Sequence, residues 1–207
     1  MRPITFYKNP KMFNSSYSEK DDSTIWKALI HGDQTALSYI YFSHAKQLLH
    51  YGYKICRDKE LVEDKVQDLF IQLWARRERL GMTDSIKFYL FRCLRRKLAE
   101  SVKAEKLRYA VGLEMIEQFS RSFESDIIEI ESISEKKKLV EQLLAHLNDS
   151  QRDILHLKYT VGLSNVEIAE VLDMEHQSVK NAIFRSITKI RRFLFRYNIS
   201  LSSLISQ

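Results

Sequence analysis

The stretch GLSNVEIAEVLDMEHQSVKNAIFRSITKIRR, Gly162 to Arg192, decides how this chain is to be read. Ser164 with Glu167 three residues on is a capping box, and it starts a helix carrying Ile168, Ala169 and Leu172. Asp173 to Glu175 is a short turn. From Gln177 a final helix follows, with Val179, Ile183, Ile187, Ile190 and Leu194 at helical spacing. Two short helices about such a turn can cross at the angle that lets the second enter a major groove. Small Ala169 permits close approach near the turn, while Val179 and Ile183 anchor the second helix on the first. Gln177, Ser178, Lys180, Asn181 and Arg185 are then left outward, with Lys189 one turn further along. Gln and Asn can pair with adenine and Arg with guanine, whereas Lys and Ser favour phosphate.

The rest of the chain agrees with an all-helical reading. Of 207 residues only 5 are Gly and 2 are Pro, and both prolines, Pro3 and Pro10, precede the first helical pattern. A hairpin-rich β fold or a Gly-rich phosphate cradle has little material. Cys56 and Cys93 lie far apart without His or Cys at ligand spacing, so neither a zinc site nor a disulfide framework is expected. No cofactor is implied. The first 22 residues hold no apolar signal-like run, and no segment approaches membrane-spanning length, so a cytoplasmic protein without membrane insertion is expected.

Net charge is +6, from 33 Lys and Arg against 27 Asp and Glu, but it is unevenly spread. Arg92, Arg95, Arg96, Lys97, Lys103, Lys106 and Arg108 make one basic block. Glu114, Glu117, Glu124, Asp126, Glu129 and Glu131 make an acidic segment, and residues 176–196 are basic again with no acid at all. Two basic blocks around an acidic connector suit two separate contacts with a polyanion.

Periodicity divides the chain into a polar tail (1–21), a helical domain (22–103), an acidic linker (104–134) and a second helical domain (135–207) holding the helix-turn-helix. In the first domain Asp33 can cap a helix through Leu37, Ile40, Tyr41, His44, Ala45 and Leu48, which Gly52 is expected to break or bend. Asp58 caps another, whose apolar face is Leu61, Val62, Val66, Leu69, Phe70, Leu73 and Trp74. Glu63, Asp64, Gln67 and Asp68 stay outside, as a solvated face or one for a basic partner. Residues 76–84 form a polar loop, and Ser85 caps a helix with Phe88, Tyr89 and Phe91, of which at least one must face the core.

These motifs, in this order, resemble the extracytoplasmic-function (ECF) sigma factors of bacterial RNA polymerase. The resemblance spans about residues 22–196 and implies two small all-α domains joined by a linker. It implies that Glu63, Asp64, Gln67, Asp68, Gln72 and Trp74 dock on the clamp helices of the largest polymerase subunit. Arg77, Phe88, Tyr89, Arg92, Arg95, Arg96 and Lys97 would bind and melt the minus-ten promoter element, beside a base pocket in the loop before them. Gln177, Ser178, Lys180, Asn181, Arg185 and Lys189 would read the minus-thirty-five element. The implied partners are core RNA polymerase, promoter DNA and an anti-sigma factor, and no catalysis is implied. Asp173 stands where a turn glycine is frequent, and Asp tolerates the left-handed backbone such a turn needs. A stand-alone regulator of the response-regulator type has a similar helix-turn-helix, but it would leave residues 58–103 without a role. A nucleic-acid-processing enzyme finds no metal cluster, nucleophile–base pair or phosphate loop here.

Overall fold

A computed structural model describes residues 17–56, 58–111, 142–143 and 145–196. They divide between two compact units, Met1–Phe123 and Glu124–Gln207. Among the described residues there is no strand.

The first unit is built from α1 (Asp22–Ile30), α2 (Gln34–Ile55), α3 (Lys59–Ala75), a 3₁₀ turn (Arg77–Arg79) and α4 (Ile86–Val111). The starts of α2 and α3 have a local cause. The Asp33 carboxylate accepts from the amides of Thr35 and Ala36, and Asp58 accepts from Leu61. Each cap satisfies amides that a helix cannot satisfy itself. Val62, Val66, Leu69, Phe70 and Leu73 of α3 turn inward, as the spacing predicts, against α2 and α4. Ile86, Leu90, Phe91, Leu94 and Leu98 do the same from α4. Each such side chain contributes about 2 kcal/mol on burial.

Three details depart from the sequence reading. Gly52 does not break α2, which continues to Ile55. It is there for proximity: a Cβ would lie 2.4 Å from Val62 Cγ1, so only glycine lets α3 come this close. α4 runs on to Val111, eight residues beyond the expected end at 103, and the remainder of the acidic segment lies outside the described residues. Tyr17, counted in the polar tail, is only 5 % exposed and donates its hydroxyl to Asp33 at 2.5 Å.

The second unit holds α5 (Asp149–Leu155), a π-type turn (His156–Val161), α6 (Asn165–Leu172) and α7 (His176–Arg196). α5 begins with a capping box between Asn148 and Gln151, and α6 with the expected box between Ser164 and Glu167. The π turn closes at Gly162, whose φ of 85° is the left-handed backbone that glycine enters freely. Asp173 ends α6 in the same region, at φ 54°. Ile154, Leu157, Val161, Leu163, Ile168, Ala169 and Val179 form the core where α6 meets α7. Leu143, Phe193 and Leu194 form a second cluster at the far end of α7. Leu147, before α5, is buried as well.

Candidate nucleic-acid interface

In the second unit the outward set is as the periodicity predicts. Val179 is fully buried, and Gln177, Ser178, Lys180, Asn181, Arg185 and Lys189 are all exposed. The Gln177 amide donates to Asn181 Oδ1 at 3.1 Å, one turn on, which lines the two amides up along the helix. Lys180 and Arg185 have no hydrogen bond or ion pair among the described residues. Lys189 differs: its ammonium donates to Gln151 Oε1 at 3.1 Å. Gln151 is 8 % exposed and also holds the α5 capping box, so one buried amide both starts a helix and orients a cation. Phe184 and Phe195 stand 72 % and 90 % exposed on the same helix.

In the first unit Arg92 and Arg96 are exposed on α4, while Arg95 and Lys97 are half-buried. Arg95 donates from Nη1 to the hydroxyl of fully buried Tyr51 of α2 at 2.9 Å. Lys97 donates to Gln72 Oε1 of α3 at 2.8 Å. These two cations therefore sit on opposite flanks of α4, with Arg92 and Arg96 exposed between them. Arg96 pairs with Glu100 at 2.9 Å, and the Arg92 guanidinium lies 5.8 Å from the Phe88 ring centroid. Of the aromatic trio, Phe91 is core, while Phe88 and Tyr89 are half-buried. Burial, with Cys93 beside it, pushes the Tyr89 hydroxyl up to about 12, so it stays protonated. Burial also raises the Cys93 thiol despite nearby Lys97, Arg92 and Arg96.

Glu63, Asp64, Gln67, Asp68 and Gln72 are exposed along α3. Tyr53 donates to Glu63 at 2.8 Å. Trp74 is half-buried beneath Arg77, whose guanidinium lies 4.6 Å from the ring and donates to the Trp74 carbonyl at 3.1 Å. Arg77 is thus turned onto α3, and Gln72 faces Lys97. The residues expected on the two surfaces of this unit meet at these pairs. Tyr51 and Gln151 carried no signal in the sequence, because their partners lie 44 and 38 residues away.

Residues 40–108 match the sigma-70 region 2 family and residues 137–190 the sigma-70 region 4 family, together more than half of the chain. The chain is 22 % identical over 170 residues to the ECF RNA polymerase sigma factor SigW of Bacillus subtilis, covering 79 % of this chain and 91 % of that one. The chain belongs to the ECF sigma factors. It is also 25 % identical over 178 residues to the RNA polymerase sigma factor NccH of Alcaligenes xylosoxydans, covering 84 % and 94 % of the two chains. Two solved structures share the fold. CnrH in complex with the cytosolic domain of CnrY has a TM-score of 0.56 at 20 % identity, covering 84 % of this chain and 97 % of that one. RpoE in complex with the anti-sigma factor NepR, from Bartonella quintana, has a TM-score of 0.52 at 18 % identity, covering 74 % and 93 %.

The region 2 match takes in most of α2, all of α3 and α4 as far as residue 108. The region 4 match takes in α5, α6 and α7 as far as residue 190. As a sigma factor the protein directs promoter-specific transcription, with RNA polymerase and promoter DNA as its partners. The stand-alone regulator is set aside, since the region 2 match gives the first unit its role. No helix among the described residues is long and apolar enough to cross a membrane.

Proposed function

We propose that this sigma factor divides its task by surface, with polymerase docking on α3, minus-ten binding and melting on α4 with the loop before it, and minus-thirty-five reading on α7. In this division residues 22–103 form the first working domain, 104–134 the linker, and 135–207 the second. The observation that carries it is α7, a helix with six cations and no acid between His176 and Arg196. It rests on α6 through Val179 and leaves Gln177, Ser178, Lys180, Asn181 and Arg185 exposed together. That is the chemistry of groove reading with flanking phosphate contacts. α4 supplies cations for phosphates and half-buried aromatics for an unstacked base. α3 offers Glu63, Asp64 and Asp68 to a basic partner groove on the clamp helices. The protein works in the cytoplasm without catalysing a reaction of its own. The cocrystal partners of its structural relatives support an anti-sigma factor as a further partner.

The test is reconstitution of the chain with bacterial core polymerase on promoter DNA, expecting promoter-specific transcripts that require the chain. Specific duplex binding without polymerase would favour the regulator instead. Asp64→Lys with Asp68→Lys should weaken core polymerase binding about tenfold in a pull-down while leaving the fold intact. Unchanged affinity would remove α3 from the docking assignment.

A further inference from the structure

Helix α1 carries none of the residues assigned above, yet it holds both ends of the loop between the 3₁₀ turn and α4. Trp26, fully buried, donates its indole N–H to the carbonyl of Gly81 at 2.8 Å. One turn earlier, the Asp22 carboxylate accepts from the Ile86 amide at 2.8 Å, which is the first amide of α4. These bonds join residues 55 and 64 positions apart. The Trp26 ring also lies edge-on to Tyr89, centroids 4.8 Å apart, so the indole that pins the loop backs an aromatic of α4. Between the pins, Met82 stands 59 % exposed, and the Thr83 hydroxyl accepts from the Ser85 amide.

A loop serves as a binding site only when its backbone is held still, because ordering it at the moment of binding costs affinity. Gly81 has no atom within 4 Å of where a Cβ would be, so its own surroundings do not fix it. The indole does. A buried indole N–H without an acceptor is costly, and this cost enforces one loop position. We propose that Trp26 and Asp22 are positioning residues for promoter opening, fixing the loop 81–85 in the geometry that receives an unstacked base. This rests on the reading of that loop and α4 as the minus-ten surface. α1 is then a working part of the reader, although it touches no DNA.

The test uses the full chain in holoenzyme with bacterial core polymerase, on promoter duplexes selected from a randomised library. 2-Aminopurine in the minus-ten non-template strand reports base unstacking. Trp26→Phe keeps an aromatic ring in the core and deletes the N–H; Asp22→Ala deletes the second pin without touching the core. Each should slow open-complex formation about tenfold and flatten base preference at one minus-ten position, with polymerase affinity unchanged. Asp22→Asn, which keeps an oxygen acceptor, should restore most of the rate. If both deletions leave opening rate and base preference unchanged while Met82→Ala and Arg77→Ala alter them, the loop is the reader and α1 does not position it, so the proposal fails. If the loop variants also change nothing, the minus-ten reading of the loop fails, and the proposal with it. Loss confined to thermal stability, with base preference kept, would likewise overturn it.

Discussion

α4 and α7 are both long cationic helices, and they hold their charge in different ways. On α4 the cations are tied to neighbours: Arg95 to Tyr51, Lys97 to Gln72, Arg96 to Glu100. On α7, Lys180, Arg185, Arg191 and Arg192 carry no hydrogen bond or ion pair among the described residues, and Lys189 alone is held, by Gln151. An oriented cation has already lost rotamer freedom, which otherwise costs about 0.5–1.5 kcal/mol per side chain on binding. In the proposed division of surfaces, α4 is therefore pre-set for a particular strand path, whereas α7 offers untied charge that gains chiefly by counterion release. The difference follows from packing. α4 lies in a groove between α2 and α3 that provides acceptors on both flanks, while much of α7 stands clear of neighbours that could.

If rigidity in the first unit comes from a dry, close-packed bundle, charge introduced beneath α4 should undo it. His44 of α2 is the sharpest test. Its Nδ1 is buried without a partner, and burial pushes its imidazole down to about 4, with Asp22 opposing and Lys87 assisting. The unfolded chain takes up this proton near 6.5, the folded chain only near 4. Stability from this group is whole above pH 6.5 and falls as pH drops, by about 1.4 kcal/mol per unit, levelling off below pH 4. The expected total is about 3 kcal/mol. Both tryptophans, Trp26 and Trp74, belong to the first unit, so urea denaturation followed by fluorescence reads that unit selectively. His44→Leu should remove most of the fall between pH 6.5 and 4, with His50, also lowered by burial, leaving a smaller remainder; a wild-type profile already flat there would show that the bundle admits water.

Gly52→Ala attacks the same close packing by volume. The added methyl meets Val62 Cγ1, and the expected loss is about 2 kcal/mol, the overpacking cost less the helix-propensity gain. Val62→Ala in the same chain should restore most of it. Two losses that simply add would mean that α2 and α3 are not coupled at this point.

In the second unit α6 starts on a reciprocal capping box. Ser164→Ala removes the acceptor for the Glu167 amide and should cost about 1 kcal/mol. Amide hydrogen exchange at Glu167 should quicken about fivefold, with the first unit unmoved.

These contrasts mark what the sequence could and could not show. The second-unit features that rest on short spacing were legible: the Ser164–Glu167 box, the left-handed Asp173, and the outward set from Gln177 to Lys189. So was the inward face of α3, because three- and four-residue spacing alone specifies it. Gly52 was misread, since a helix breaker and a close-contact residue look identical without the neighbour that explains them. The acceptors for Arg95 and Lys97, and the pins at Gly81 and Ile86, depend on residues brought together by tertiary packing. No local pattern encodes such pairs. Burial of Gln151 was equally hidden, because a polar residue in a first helical turn is expected outside.

The finest test of the comparison is in salt dependence. Lys180 has no charge partner among the described residues, so Lys180→Ala should lower the slope of log binding constant against log salt by about one for holoenzyme on promoter DNA. Arg96 is already partly compensated by Glu100 2.9 Å away, so Arg96→Ala should change the slope by less. Affinity losses at a single salt concentration cannot separate these cases, because orientation and charge both enter. The slope counts released counterions, and orientation leaves it unmoved. Equal slope changes for the two variants would show that the Arg96–Glu100 pair opens on binding, and that α4 releases its charge as freely as α7. An unaltered slope for Lys180→Ala would take that residue off the phosphate path and leave reading by α7 to Gln177, Asn181 and Arg185.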